Sequence, residues 1–156
     1  MGFFSDVVNS FVGVANGACG GRLHRRCREL GWGVDEAEGD RIQLHFNDSQ
    51  ALGGIRKVAI FHGDASLVTF RCLSHAIIPR GQDVPDEVLG YLLMRNCERA
   101  IGGWALSVRD RSAAFPLDYT ALGDALDAPA LKFICDELVR EVSAFDARMR
   151  AAGLLR

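Results

Sequence analysis

The chain has 156 residues, of which 49% are hydrophobic and 24% are charged, and its formal net charge is −2. These values are typical of a globular protein and predict one domain over residues 1–156, with a core that buries roughly two thirds of the unfolded surface. A charge this close to zero gives no general attraction to nucleic acid or to an anionic membrane, so neither is an expected partner.

The cysteine pattern indicates the compartment. The five cysteines are odd in number, widely spaced and form no CxxC pair. Cys72 falls in a strand pattern, and Cys97 and Cys135 fall on apolar helix faces, where a thiol packs as a small hydrophobe. This distribution predicts reduced structural thiols and a cytoplasmic protein rather than a disulfide framework.

The first segment of the chain, residues 2–14, is apolar but lacks the features of an export signal. No Lys or Arg precedes it, and Asp6, Asn9 and Ser10 interrupt it. Its apolar positions fit one stripe of an amphipathic helix, so we interpret residues 1–21 as an N-terminal helix or arm and residues 22–153 as the core. A membrane-peripheral protein attached through this segment is an alternative.

Residues 22–30 form a second predicted helix, which follows a glycine-rich break at residues 16–21 and ends at Gly31. Four arginines make this helix locally basic, and we interpret them as a solvated face. An arginine-rich contact surface for an acidic protein is one alternative. A phosphate site is another, although no strand precedes the glycine-rich loop and the GxxxxGK[ST] pattern is absent.

Three strand patterns follow before the next helix. The first strand region joins Trp32 and Val34 to residues 41–47, the second covers residues 55–62, and the third covers residues 66–78. Apolar residues occupy both faces of the second and third strands. At least one of these two strands is therefore expected to be central or covered on both sides.

The centre of the predicted fold is a helix over residues 84–100, a break at glycines 102 and 103, and a strand over residues 104–108. Asp83 is the expected helix cap. A fifth strand covers residues 113–119, and Pro116 within it lacks a ladder donor, which predicts an edge strand. The last predicted helix, over residues 129–153, carries a regular apolar stripe.

The resulting order, α-β-β-β-α-β-β-α, predicts an α+β domain in which helices cover a five-stranded antiparallel sheet. This order resembles the type III secretion chaperone-like fold. Within that fold the chain is most similar to the YbjN-type family, bacterial proteins described as candidate sensory-transduction regulators. The resemblance covers about residues 22–152 and depends on the element order, the LLMRN segment at 92–96, and the WAL strand start at 104–106 with its hairpin.

The resemblance implies a non-enzymatic protein-binding or chaperone-like module, usually a homodimer. Its protein partner, of unknown identity, would lie extended against apolar surface and exposed strand edges. No catalytic residue, metal or cofactor is expected. Phe115 marks the edge strand that we expect to be open to a partner. The residues predicted for the subunit contact or the adjacent core are Leu89, Leu92, Leu93, Trp104 and Leu106.

A small enzyme with a Cys/His site is the remaining alternative. His45 and His62 could approach one another across paired strands, with Asp48 or Asp64 completing a metal site. No HxH or HExxH spacing supports this site. A nucleophilic pair of Cys72 and the histidine three residues later is disfavoured, because that spacing on a strand places the two side chains on opposite faces.

Overall fold

The computed structural model describes residues 18–36, 40–62, 66–79, 81–109 and 112–155, and the apolar segment 2–14 lies outside this range. The described part contains three helices, which are α1 (Ala18–Glu29), α2 (Asp86–Glu98) and α3 (Ala128–Ala151). Its strands are β1 (Val34–Glu36), β2 (Arg41–Asn47), β3 (Ile55–His62), β4 (Leu67–Pro79), β5 (Gly103–Trp104), β6 (Ser107–Arg109) and β7 (Ser112–Leu122).

All strands belong to one antiparallel sheet with the order β1-β2-β3-β4-β7-β5, and β6 also pairs with β7. The predicted α+β class and antiparallel sheet are therefore confirmed. The predicted count of five strands is too low. The first strand region is two strands, β1 and β2, and the strand predicted at residues 104–108 is divided into β5 and β6.

The prediction that the strand containing Phe115 and Pro116 lies at an edge is wrong. This strand, β7, pairs with β4 on one side and with β5 and β6 on the other. The N–H of Ala105 donates to the carbonyl oxygen of Pro116 at 2.9 Å, and Pro116 has no N–H to return the bond. The outer strand is interrupted at this point, between β5 and β6. The missing N–H of Pro116 thus coincides with the interruption between β5 and β6, and β7 itself is an interior strand.

Two other local predictions also need correction. Gly20 and Gly21, which we expected in a break or hinge between two helices, lie within helix α1, so the alternative of a helix that continues through the glycines holds at these two positions. Helix α2 begins at Asp86 with Pro85 in the cap position and has no side-chain cap, so Asp83 does not cap it. Helix α3 does have a side-chain cap, because the Asp127 carboxylate accepts the N–H of Ala130 at 2.7 Å.

The core lies between one face of the sheet and the helices. Ile42, Val58, Phe70 and Leu117 come from β2, β3, β4 and β7, and each is fully buried. Both β3 and β4 are interior strands, as the apolar character of their two faces predicted. Every position of the apolar stripe of α3 is buried against this face: Leu131, Ile134, Leu138, Val142, Phe145 and Met149.

A buried polar cluster ties α3 to the sheet. Arg56 of β3 is fully buried, and its Nη1 lies 2.7 Å from Oδ2 of Asp146 on α3. Its Nε donates to Oδ2 of Asp48 at 2.9 Å. Hydroxyl groups complete the cluster, since Ser143 donates to Asp48 and Ser74 donates to Asp146. Two carboxylates thus compensate one buried guanidinium and fix the register of α3 over β3 and β4.

Removing the guanidinium should destabilise the fold strongly. In Arg56→Leu two carboxylates would remain buried without their cation, and we expect the free energy of unfolding to fall by about 3–5 kcal/mol. Urea denaturation at pH 7 measures this change. Lys57→Ala is the matched control, because Lys57 is the next residue of β3 and is exposed, and we expect a change within about 0.5 kcal/mol. Equal losses in the two variants would contradict the assignment.

Candidate protein-binding surface

One carboxylate on α3 holds helix α2 and strand β5 in place. Glu141 is buried and accepts two hydrogen bonds from the guanidinium of Arg95, at 2.9 and 2.7 Å. Nη1 of Arg99 lies 2.7 Å from Glu141, and Nε1 of Trp104 donates to it at 3.3 Å. Burial raises the pKa of Glu141, but the hydrogen bonds and positive charges more than offset this effect, so its pKa lies below 4.5. Glu141 is therefore ionised at neutral pH.

The side chain of Asn96 covers the outer edge of β5. Its amide donates to the carbonyl oxygen of Trp104 at 2.9 Å and accepts the Trp104 N–H at 2.6 Å. Because Ala105 bonds to Pro116, the alternation of an antiparallel ladder directs the polar backbone groups of Trp104 away from β7. Asn96 therefore takes the place of a neighbouring strand at this position.

No described side chain covers strand β6 in this way. Val108 pairs with Ala113 in the same register as Trp104 with Leu117, so its N–H and C=O also point away from β7. The side chain of Val108 is 70% exposed, and that of Leu106, just before the strand, is 42% exposed. The edge thus combines outward backbone groups with apolar side chains, the two features that a strand-like ligand requires.

Helix α2 adds a second apolar element beside this edge. Val88 and Leu92 face the core, whereas Leu93 is 67% exposed. At about 100° per residue, Leu89 and Leu93 lie about 20° and 60° from Asn96 around the helix axis, on the side next to β5. We call the combined set the α2–edge surface. Its members are Leu89, Leu93, Cys97, Leu106 and Val108.

The opposite edge of the sheet has a different character. Strand β1 has three residues, Val34, Asp35 and Glu36, and two of them are acidic. Short and charged edge strands resist the addition of another strand. Of the two edges that the described strands form, the β6 edge is therefore the better suited to bind a polypeptide.

Comparison with solved structures identifies the fold to which this architecture belongs. Over 92% of this chain and 99% of the other, the structure is similar to YbjN from E. coli, a proposed transcription regulator, with a TM-score of 0.62 and 12% identity. Over 80% of this chain and 90% of the other, it is similar to a chain of the HopA1–SchA chaperone–effector complex, with a TM-score of 0.55 and 13% identity. The chain has the type III secretion chaperone-like fold. No protein-family model matches the sequence, and no curated protein matches it.

The structure divides the predicted contact residues into two groups. Leu92 and Trp104 belong to the core, whereas Leu93 and Leu106 are exposed on the α2–edge surface, and Leu89 is a half-buried member of that surface. Their role in binding stays a prediction. Phe115 was expected on an open edge but is fully buried on β7, where it packs 5.5 Å from the ring of Phe145, so it cannot contact a partner in this structure.

Two contributors to this surface were missed by the sequence analysis. Asn96 had no distinguishing signal, because a polar residue near the end of a helix is common. Glu141 did have one, since it lies between Leu138 and Val142 on the apolar stripe of α3, where a charge requires a buried partner.

The Cys/His alternative finds no support in the geometry. His45 pairs with Lys57 on the outer face of the sheet, whereas His62 lies on the core face, so the two do not converge. Burial raises the pKa of Cys27 to about 11 and that of Cys72 to about 12, which keeps both as unreactive thiols. Among the described residues, no cluster of three or more His, Cys, Asp or Glu could hold a metal ion.

Two of the four arginines of α1 bind residues outside that helix. Arg22 pairs with Asp124, and Nη1 of Arg26 donates to the carbonyl oxygen of Gly123 at 3.2 Å. These contacts fasten α1 to the turn before α3. The phosphate alternative lacks its loop as well, because Gly20 and Gly21 are helical. Arg25 and Arg28 are exposed, as a solvated face predicts.

Removal of the Asn96 amide should open the edge at β5. In Asn96→Ala the N–H and C=O of Trp104 lose their partners, and we expect stability to fall by about 1 kcal/mol. Hydrogen exchange at the Trp104 amide should also become faster. Asn96→Asp keeps the acceptor for this N–H, so its exchange should stay slow. The exposed Asn47→Ala is the control, and unchanged exchange in Asn96→Ala would show that the amide does not protect the edge.

Proposed function

We propose that this chain is a non-enzymatic, cytoplasmic protein-binding module of the chaperone type that acts as a homodimer. The observation that supports this proposal is the α2–edge surface, in which exposed Leu106 and Val108 flank outward backbone groups of β6, and exposed Leu93 lies on the helix that packs against β5. An exposed apolar group next to an open strand edge is costly for a monomer and marks an interaction site.

The chemistry of the surface defines the kind of partner that it would take. Backbone groups of the β6 edge supply hydrogen bonds to any extended polypeptide, and the helix side chains supply apolar contact to alternate residues of that ligand. A second copy of the chain meets both requirements, since an isologous contact brings the same edge and the same helix face together twice. We therefore assign the subunit contact to this surface, with Leu89 and Leu93 at its centre.

The oligomeric state tests the proposal directly. We expect light scattering after size-exclusion chromatography to give twice the chain mass of 17.0 kDa at micromolar concentrations. Leu93→Asp should weaken the dimer by at least about tenfold, because it replaces a leucine that the dimer would bury with a charge. Phe133→Asp is the matched control, since Phe133 is 55% exposed on α3, outside the surface, and should leave the dimer intact.

The exposed thiol of Cys97 provides a second measurement of the same contact. A thiol-specific bifunctional reagent should join two copies in the native protein and fail in Cys97→Ser. A single-chain mass at concentrations of about 100 μM, or dimer loss in Phe133→Asp and not in Leu93→Asp, would overturn the assignment.

A further inference from the structure

The contact between helix α1 and the end of strand β3 is unusually close. A Cβ atom placed on Gly20 would lie 2.6 Å from Cε1 of the His62 imidazole, and 3.0 and 3.1 Å from its two ring nitrogens. No side chain larger than hydrogen fits there unless the ring moves. Gly21, the next residue of the same helix, has open space at the corresponding position. Helix α1 therefore docks on the edge of an imidazole through one glycine.

The imidazole in this contact is buried, and one of its ring nitrogens lacks a hydrogen-bond partner among the described residues. His62 is the last residue of β3 and is 7% exposed. Its Nδ1 is buried and, in the described part of the chain, has no hydrogen-bond partner. Its backbone N–H is used, because it donates to the carbonyl oxygen of Asp40 at 2.8 Å. A neutral ring can leave one acceptor unpaired at modest cost, but an imidazolium would bury an unpaired donor and a charge.

The charged groups around His62 do not rescue the protonated form. Burial lowers its pKa below 6.5, His24 of α1 lowers it further, and Asp40, in the turn before β2, offsets only part of this effect. On α1 the nearby arginines are engaged elsewhere, with Arg22 on Asp124 and Arg26 on Gly123. The docked arrangement therefore favours the neutral form of His62.

We propose that His62 is a pH-sensitive latch for helix α1, which stays docked while the imidazole is neutral and is released when the ring takes up a proton. On release, water can solvate the imidazolium. This favourable solvation is absent in the docked state. The contacts that oppose release are those of Leu23 and Cys27, which are fully buried, and the two arginine contacts. This inference concerns other residues than the α2–edge surface and does not depend on the proposed dimer.

The sign of the pH dependence follows from linkage. A histidine with a lowered pKa in the docked state binds its proton more readily when α1 is released, so docking is fully favourable above 6.5 and weakens as the pH falls below it. If the docked ring stays neutral, the release equilibrium at pH 5.0 rises by up to about 30-fold over that at pH 7.5.

Hydrogen exchange of the full chain at pH 7.5 and 5.0, corrected for the intrinsic rate, tests the latch. We expect the protection of α1 amides to fall between about 5-fold and 30-fold on acidification, while α3 amides change less. His62→Leu should abolish this fall. His75→Gln is the matched histidine control, because burial also lowers the pKa of His75, and its α1 should keep the pH dependence. Unchanged protection in the native chain, or a fall that persists in His62→Leu, would overturn the proposal.

The two adjacent glycines supply a second test that does not alter His62. Gly20→Ala forces a methyl group against the imidazole, so α1 should be weakly protected at both pH values. Gly21→Ala meets no neighbour and should behave like the native chain, with equal or greater protection. If His62→Leu does not fold, an NMR titration of the His62 imidazole in the native chain decides the case. A ring that titrates at 6.5 or above would exclude the latch.

Discussion

The interactions of Glu141 are the constraint on which the candidate surface depends. One buried carboxylate binds Arg95 and Arg99 at the end of α2 and the indole of Trp104 at the start of the outer hairpin strand. These bonds fix the rotation of α2, because Arg95 must face α3. Once Arg95 faces inwards, Val88 and Leu92 do as well, and Leu93 is left outside. The exposed stripe is thus a consequence of a polar contact in the interior.

Helix α3 carries a second buried carboxylate with a similar role. Asp146 binds Arg56 of β3, and Glu141 binds the end of α2, five residues earlier on α3. Apolar contacts alone would tolerate small rotations or shifts of α3 over the sheet, whereas each ion pair accepts only one arrangement. We infer that these two pairs contribute more to the uniqueness of the packing than to its net stability, since buried charges offset much of their own attraction by desolvation.

Much of the fold could be predicted from local pattern, and the failures have a common physical cause. The α3 stripe and the strand alternations are set by short-range periodicity, which a sequence displays directly. The position of β7 in the sheet is not a local property. Because Pro116 has no backbone N–H, we predicted that its strand lies at an edge of the sheet. The missing hydrogen bond can instead fall on the side of a short, interrupted neighbour, and only the strand order shows which case applies. The candidate site followed the same division. Leu93 and Leu106 were proposed from periodicity, and their role in binding stays a prediction, whereas Asn96 carried no local signal, because its partner is the backbone of another element.

The edge at β6 is best understood against the protection that the rest of the sheet receives. At the other end of the sheet the edge strand is short and acidic, and on the near side Asn96 occupies the backbone groups of Trp104. Because β1 and the β5 part of the outer strand are both protected, the open edge at β6 is not a general property of this sheet. Helix α2, which carries exposed Leu93, packs against β5, the preceding part of the same outer strand. Chance exposure of single hydrophobic residues is common, but exposed Leu106 and Val108 next to backbone groups that no described residue pairs are what a polypeptide-binding site requires.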